Sequence, residues 1–167
     1  MKLFAGLLLH ETELLEEVKR ELEALLGEID RETPLLPFLS TSYYDRELGT
    51  PIQRKFYSFT VLRSPEGLYR MKVQTNELEK RFSRDGRRRV NIDPGYLEFP
   101  KVLLFTTKNF SHRIYLGEGI FAEVTLSYKG KEYLFFPWTY PDYKSPEYLD
   151  FFYKMRADYK KQLGSAG

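Results

Sequence analysis

The chain has 167 residues, with 26 Lys and Arg against 24 Asp and Glu and a formal net charge of +2. A chain of this size buries about 70% of the surface it exposes when unfolded, so one hydrophobic core suffices without a metal or a disulfide. Cysteine is absent and there are two histidines, His10 and His112; this excludes disulfide staples, thiol catalysis and Cys- or His-rich metal sites, while the charge balance excludes a dedicated polyanion binder.

Residues 2–9 read as a buried strand. The apolar run of about seven residues is followed at once by Glu11, too short for a signal peptide. No stretch approaches the roughly 20 apolar residues of a membrane span. The cytoplasm is therefore the expected compartment. Asn and Gln number three each and charged residues make up 30%, a thermophile-like composition.

Thr12 is the expected N-cap of a helix over 13–26, whose Leu14, Leu15, Val18, Leu22, Leu25 and Leu26 repeat with helical period. Gly27 stands where a glycine C-cap belongs. Residues 30–37, with Pro34 and Pro37, read as a loop, Leu39–Tyr44 as a short strand and Asp45–Pro51 as a connection. Lys55–Leu62 is apolar or β-prone on both faces and predicts a covered strand. Ser64-Pro65-Glu66 has the residues that open a helix, with Leu68, Met71, Thr75, Leu78 and Phe82 as its buried stripe. On that helix Lys72, Asn76 and Glu79 share another face, expected to be solvated.

Lys101–Thr107 is the next expected strand. Gly117-Glu118-Gly119 and Lys129-Gly130 then mark hairpins between Arg113–Leu116, Ile120–Tyr128 and Lys131–Trp138. A second Ser-Pro-Glu at 145–147 opens a last helix with a stripe of Tyr148, Phe152, Met155, Tyr159 and Leu163. The order predicts one α+β domain over 1–163, a largely antiparallel sheet carrying about three helices, with a flexible tail at 164–167. A ferredoxin-like first half is compatible with this order.

No phosphate-binding loop, dinucleotide fingerprint, nucleophile elbow or zinc-protease motif is present. His10-Glu11-Thr12 matches half of a paired-histidine phosphoesterase motif, but His112-Arg113-Ile114 does not supply the other half. The unusual polar groups concentrate between 87 and 123. Asp93-Pro94-Gly95 is a turn signal. Alternatively, Arg89, Asn91 and Asp93 alternate along an extended segment and project to one side. Hairpin geometry adds a sharper expectation. With a two-residue loop at Gly117-Glu118, His112 faces Glu123; with a three-residue loop, Arg113 does. Either neighbour compensates a carboxylate set among Phe121, Val124 and Leu126, and such cross-strand pairs give roughly 0.2–1 kcal/mol.

These residues define a candidate site. Arg89, Lys108 and Arg113 would neutralise an anion and Asn91 would orient it. His112 paired with Glu123 would be the proton-transfer group. Asp93 would bind a metal or accept a hydroxyl proton, although no complete metal-ligand set is present; the sequence leaves the cofactor open. The function expected is binding of, or action on, an anionic small molecule such as a nucleotide or phosphate ester. One alternative is an RNA-associated module using residues 80–89, which hold six basic residues and one acid, whereas residues 1–33 hold nine acids and four bases. Another is a protein-interaction scaffold with an exposed apolar patch. The aromatic turn Trp138-Thr139-Tyr140-Pro141-Asp142-Tyr143 would either anchor the last helix or wall a pocket.

Several strings carry a resemblance: Thr41-Ser42-Tyr43-Tyr44, Thr75-Asn76-Glu77, Asn91-Ile92-Asp93-Pro94-Gly95-Tyr96, Ser111-His112-Arg113-Ile114-Tyr115-Leu116, Ala122-Glu123-Val124 and the aromatic turn just quoted. With them the chain resembles, over about residues 2–163, the prokaryotic family known as domain of unknown function 4416. The resemblance implies a single-domain cytoplasmic protein. It implies no particular activity, cofactor or catalytic residue.

Overall fold

The computed structural model describes residues 1–164. In chain order the elements are β1 (Lys2–Leu9), α1 (Leu15–Leu26), β2 (Ile29–Glu32), β3 (Leu36–Pro37), α2 (Asp45–Leu48), β4 (Gln53–Leu62), α3 (Arg70–Arg81), β5 (Val90–Glu98), β6 (Lys101–Thr106), β7 (Ile114–Gly117), β8 (Ile120–Lys129), β9 (Glu132–Phe135) and α4 (Pro146–Gly164). Strand order in the sheet is β2-β4-β1-β5-β6-β8-β7, with β3 also on β4 and β9 also on β8. Every pairing is antiparallel.

The near-continuous apolar run of β1 is explained by its position. All eight of its residues are buried, because helices cover both faces of the sheet. Leu3, Ala5, Leu7 and Leu9 meet Val18, Leu22 and Leu26 of α1 and Met71 and Leu78 of α3. Phe4, on the opposite face, meets Phe152 of α4 edge to face at 5.1 Å. The α4 face of the core is largely aromatic: Phe56, Tyr133, Tyr143, Tyr148, Phe151, Phe152 and Tyr159 are all buried there. Lys2 is buried too, and its amine donates to Asp30 Oδ2, the Phe59 carbonyl and Gln162 Oε1. It therefore ties β1 to β2, β4 and α4.

The first half has the order β2-β4-β1-β5. Here α1 carries the chain from β1 across β4 to β2, and α3 carries it from β4 across β1 to β5. These are two interlocked split βαβ units, the ferredoxin-like arrangement. The second half adds β6 to β9 as antiparallel strands. The whole is a single α+β domain. No described helix is long and apolar enough to cross a membrane.

Several sequence expectations are corrected. The helix expected from Ser64 begins at Arg70, because Gly67 takes a positive φ of 70° and the chain turns there first. The helix expected from residue 13 begins at Leu15 after a 3-10 turn at Thr12–Leu14, and Thr12 makes no side-chain cap bond. Residues 30–37, read as a loop, contribute to β2 and β3, while Leu39–Tyr44, read as a strand, is irregular and leaves Leu39 exposed. The last hairpin turns at Gly130-Lys131 rather than Lys129-Gly130, both at positive φ, as a two-residue turn of this hand requires. Gly164, expected to open the tail, is the last residue of α4, and residues 165–167, the rest of that expectation, lie outside the described residues.

Asp93-Pro94-Gly95 is not a turn but the middle of β5. Proline is tolerated because β6 joins β5 only from Gly95 onward, so no ladder bond is lost at Pro94. Glycine is required next to it. A Cβ at 95 would collide with the Leu103 carbonyl oxygen and stand 2.7 Å from the Phe4 ring. Gly95→Ala is therefore expected to cost about 1–3 kcal/mol by overpacking. A fall in the urea midpoint with an unchanged slope would register it; an unchanged midpoint would refute the close approach.

Candidate functional site

A cleft of about 410 Å³ opens where β6 parts from β5. From Gly95↔Leu104 the two strands pair toward Glu98↔Lys101, but before Gly95 the side of β5 away from β1 has no strand partner among the described residues. Two side chains of α3 take the place of that partner. Ile92 N–H donates to Glu79 Oε1 at 2.7 Å, and Lys72 Nζ donates to the Ile92 carbonyl at 2.6 Å. Lys72 and Glu79 also pair with each other at 3.2 Å, and both are buried. The face expected to be solvated is thus inserted into the opening, with Asn76 of the same face lining the cleft. Glu79 is held further by Arg88, whose guanidinium also clasps Glu47 through two bonds of 2.6 and 2.7 Å. These bonds hold the Glu47 carboxyl below its ordinary pKa.

The cleft floor is the α4-facing side of the sheet. In register along it lie Arg54 of β4 beside Leu8 of β1, Asn91 and Asp93 of β5, Leu104 of β6 and Glu123 of β8. Arg54 is buried among them. Its side chain is 5% exposed, and it lies over Gly6, where a Cβ would come within 3.2 Å of Nη1 and 2.8 Å of the Phe56 ring. Glycine at 6 thus makes room for the guanidinium in an otherwise large-residue strand. Nη2 donates to Asp142 at 3.0 Å and Nε to Tyr148 Oη at 3.2 Å. Nη1 stands 4.0 Å from Asp93 Oδ2, too far for a hydrogen bond, and finds no partner among the described residues. The buried Tyr143 hydroxyl, which also lines the cleft, is unpartnered among them too. Burial raises the Tyr143 pKa well above its ordinary value, so that hydroxyl is a donor at neutral pH.

The rim is made by residues 40–44, by Thr106–Lys108 and by the Tyr140–Asp142 turn. Arg113 fastens two of these segments together. Its Nη1 donates to the Lys108 carbonyl at 2.9 Å, Nη2 to Tyr140 Oη at 2.8 Å and Nε to Glu123 Oε2 at 2.7 Å. Lys108 Nζ lies 4.2 Å from the centre of the Tyr43 ring and 3.1 Å from its hydroxyl, closing the third side.

His112 Nε2 also reaches Glu123 Oε2, at 3.0 Å. A carboxylate only accepts, so this nitrogen carries the proton. The imidazole stacks on Trp138 at 4.8 Å and 8°, and Trp138 stacks on Phe136 at 4.8 Å and 3°. Glu123 thus has both expected neighbours although only one register is realised: the hairpin turns at Glu118-Gly119, not Gly117-Glu118, and after an irregularity Ile114 faces Ala122, the register that the three-residue loop predicted. The β7–β8 register would place Arg113 opposite it, and the bend before Ile114 brings His112 to the same oxygen.

Of the seven residues read from the sequence, Asn91, Asp93, Lys108 and Glu123 line the cleft. His112 and Arg113 stand behind Glu123. Arg89 is elsewhere: the strand starts only at Val90, and the guanidinium turns away to pair with Glu11. Arg88 holds the place expected for it. Arg54 and Tyr44 are lining residues not expected from the sequence, Lys72 lines the cleft although its face was expected to be solvated, and Tyr140 and Asp142 of the aromatic turn line it too. The aromatic turn both walls the cleft and anchors α4, for Tyr143 is in the core and on the lining. His10, just after β1, donates from Nδ1 to the Pro51 carbonyl at 2.9 Å and packs on Gly49, and it is not on the lining. No group of three His, Asp or Glu residues suited to a metal converges among the described residues.

The basic segment 80–89 is largely compensated. Lys80 pairs with Glu77, Arg81 with Glu21, Arg88 with Glu47 and Glu79, and Arg89 with Glu11. Two of these partners, Glu11 and Glu21, belong to the acidic N-terminal third, so each charge block is neutralised in part by the other across the fold. No curated protein and no solved structure matches this chain. Residues 1–159 match the family described as a domain of unknown function (DUF4416), nearly the full length, and the chain belongs to that family.

Proposed function

We propose that the cleft binds a small anionic molecule of the phosphate-ester or nucleotide kind. The observation that carries this is the Arg54 guanidinium on the cleft lining, nine-tenths buried, with Nη1 itself buried, 4.0 Å from the lining Asp93 and without a hydrogen-bond partner among the described residues. A buried donor of this kind costs roughly 1–3 kcal/mol or more unless an acceptor meets it. The volume of about 410 Å³ suits a ligand of mononucleotide size. Lys108 at the rim, beside the hydroxyls of Ser40, Thr41, Thr106 and Thr107, supplies charge and donors for the anionic group. Glu123 lines the cleft with both His112 and Arg113 behind it, so His112 acts on a ligand by orienting that carboxylate. The compensated charges of segment 80–89 favour this cleft over RNA as the site of binding.

Thermal shift and calorimetry with nucleoside monophosphates and sugar phosphates test the reading. The expected result is a rise in Tm that Arg54→Lys and Lys108→Glu each reduce, with apparent affinity at least tenfold weaker, about 1.4 kcal/mol. Each variant is compared with its own ligand-free Tm, so any loss of fold stability is separated from loss of binding. Absence of any shift across the panel, or full retention of affinity by both variants, would refute the proposal. An RNA oligomer in the same panel tests the alternative: tight binding that weakens steeply with salt and ignores Arg54→Lys would favour it.

A further inference from the structure

Resting on the reading just given, we infer that the ligand is a phosphorylated polyol: one phosphomonoester at the rim and a hydroxyl-bearing sugar on the floor, held by Arg54 and Asp93. The charges of the floor carry the inference. Arg54 is flanked there by two carboxylates, Asp142 at 3.0 Å and Asp93 at 4.0 Å. Lys72 is committed to Glu79 and the Ile92 carbonyl, and Arg88 to Glu47 and Glu79. The floor therefore offers no surplus positive charge, and a phosphate pressed against Asp93 would be repelled. The lining cation without an acidic partner among the described residues is Lys108 at the rim, one charge for one phosphate rather than for a polyphosphate chain.

Asp93 and Arg54 Nη1 have the spacing a hydroxyl needs. At 4.0 Å they do not bond each other, but one oxygen set between them accepts from Nη1 and donates to the carboxylate. Asp93 Oδ2 already accepts from Asn91 at 2.8 Å, and the nearest cation to Oδ1 is Lys72 at 3.6 Å, so Oδ1 has room for a second donor. A carboxylate that takes two neighbouring hydroxyls fits a sugar. Tyr44 and Tyr140 line the same cleft and bring aromatic carbon to it, surface suited to the C–H groups of a sugar. A free sugar phosphate and a nucleoside monophosphate share this chemistry.

Calorimetry on the whole chain with inorganic phosphate, propyl phosphate, ribose 5-phosphate and AMP distinguishes these cases. Ribose 5-phosphate, AMP or both are expected to bind at least tenfold more tightly than propyl phosphate, and the tighter of the two names the source. Asp93→Asn is expected to erase that tenfold advantage while leaving propyl phosphate binding within twofold. Equal binding of propyl phosphate and both sugar ligands, in the wild-type chain alone, overturns this inference and leaves anion binding standing. An advantage that survives in Asp93→Asn also overturns it. Failure of all four compounds to bind removes both this inference and the reading it rests on. Should Asp93→Asn not fold, the wild-type comparison still decides.

Discussion

Glu79→Ala is expected to lower the unfolding free energy by about 3–5 kcal/mol, the range for breaking a buried charge pair. The loss has three parts. Lys72 keeps a buried charge without its carboxylate, Arg88 loses one of its acids, and the Ile92 N–H loses its acceptor. An ordinary buried ion pair can be replaced by two apolar residues at little cost. Here Lys72→Met with Glu79→Leu is expected to remain destabilised by about 1–3 kcal/mol, because the Ile92 N–H and carbonyl stay unpaired at the opening of the sheet. Urea unfolding of the single and double variants measures both values. A double variant as stable as the wild type would show that the pair is not standing in for a strand.

The second large effect is expected at Arg113. Arg113→Ala leaves the Glu123 carboxylate, itself 2% exposed, with His112 and Thr125 as its hydrogen-bond partners. The stability loss expected is again about 3–5 kcal/mol. Arg113→Lys separates charge from geometry. It restores a cation beside Glu123 but not the planar fork that also reaches Tyr140 and the Lys108 carbonyl. It is therefore expected to recover only part of the stability and little of the ligand affinity, since the rim segments are no longer joined. Chemical denaturation and calorimetry on the same samples check the two halves. Full recovery of both by lysine would reduce Arg113 to a simple counter-ion.

The legible parts of the fold were those with strong local signals. The buried run at 2–9, the stripe of α4 and the glycine hairpins announce themselves through periodicity and turn chemistry. The opening between β5 and β6 did not, because it depends on where two strands stop pairing. Pro94 read as a turn for the same reason: locally it is a breaker, and only the missing neighbour makes it acceptable inside a strand. Lys72 and Glu79, seven residues apart, had the spacing of one solvated face. Their burial is a tertiary demand, set by unpaired backbone groups of another element. Glu123 was legible because hairpin register is local and a carboxylate among apolar neighbours requires a cation. Arg54 was missed since a lone arginine at the start of a strand gives no signal of being buried; Gly6, across in β1, was the hint.

The seam at the cleft has a kinetic consequence. On its far side the sheet grows by short steps, with Lys129 pairing Glu132 across a tight turn. On its near side the ladder joins Lys2 to Leu97, closing a loop more than half the chain long. Chain entropy makes the short closures fast and the long one slow. The cleft draws Glu123 and Lys108 from the fast half and Arg54, Lys72 and Asp93 from the slow one. The β5–β6 hairpin joins the two halves by one more short closure, so the ligand-binding geometry waits on the long one, which sets β1 and the Arg54 strand beside β5, and a bound ligand would act as a clamp between two folding units rather than as a guest in one.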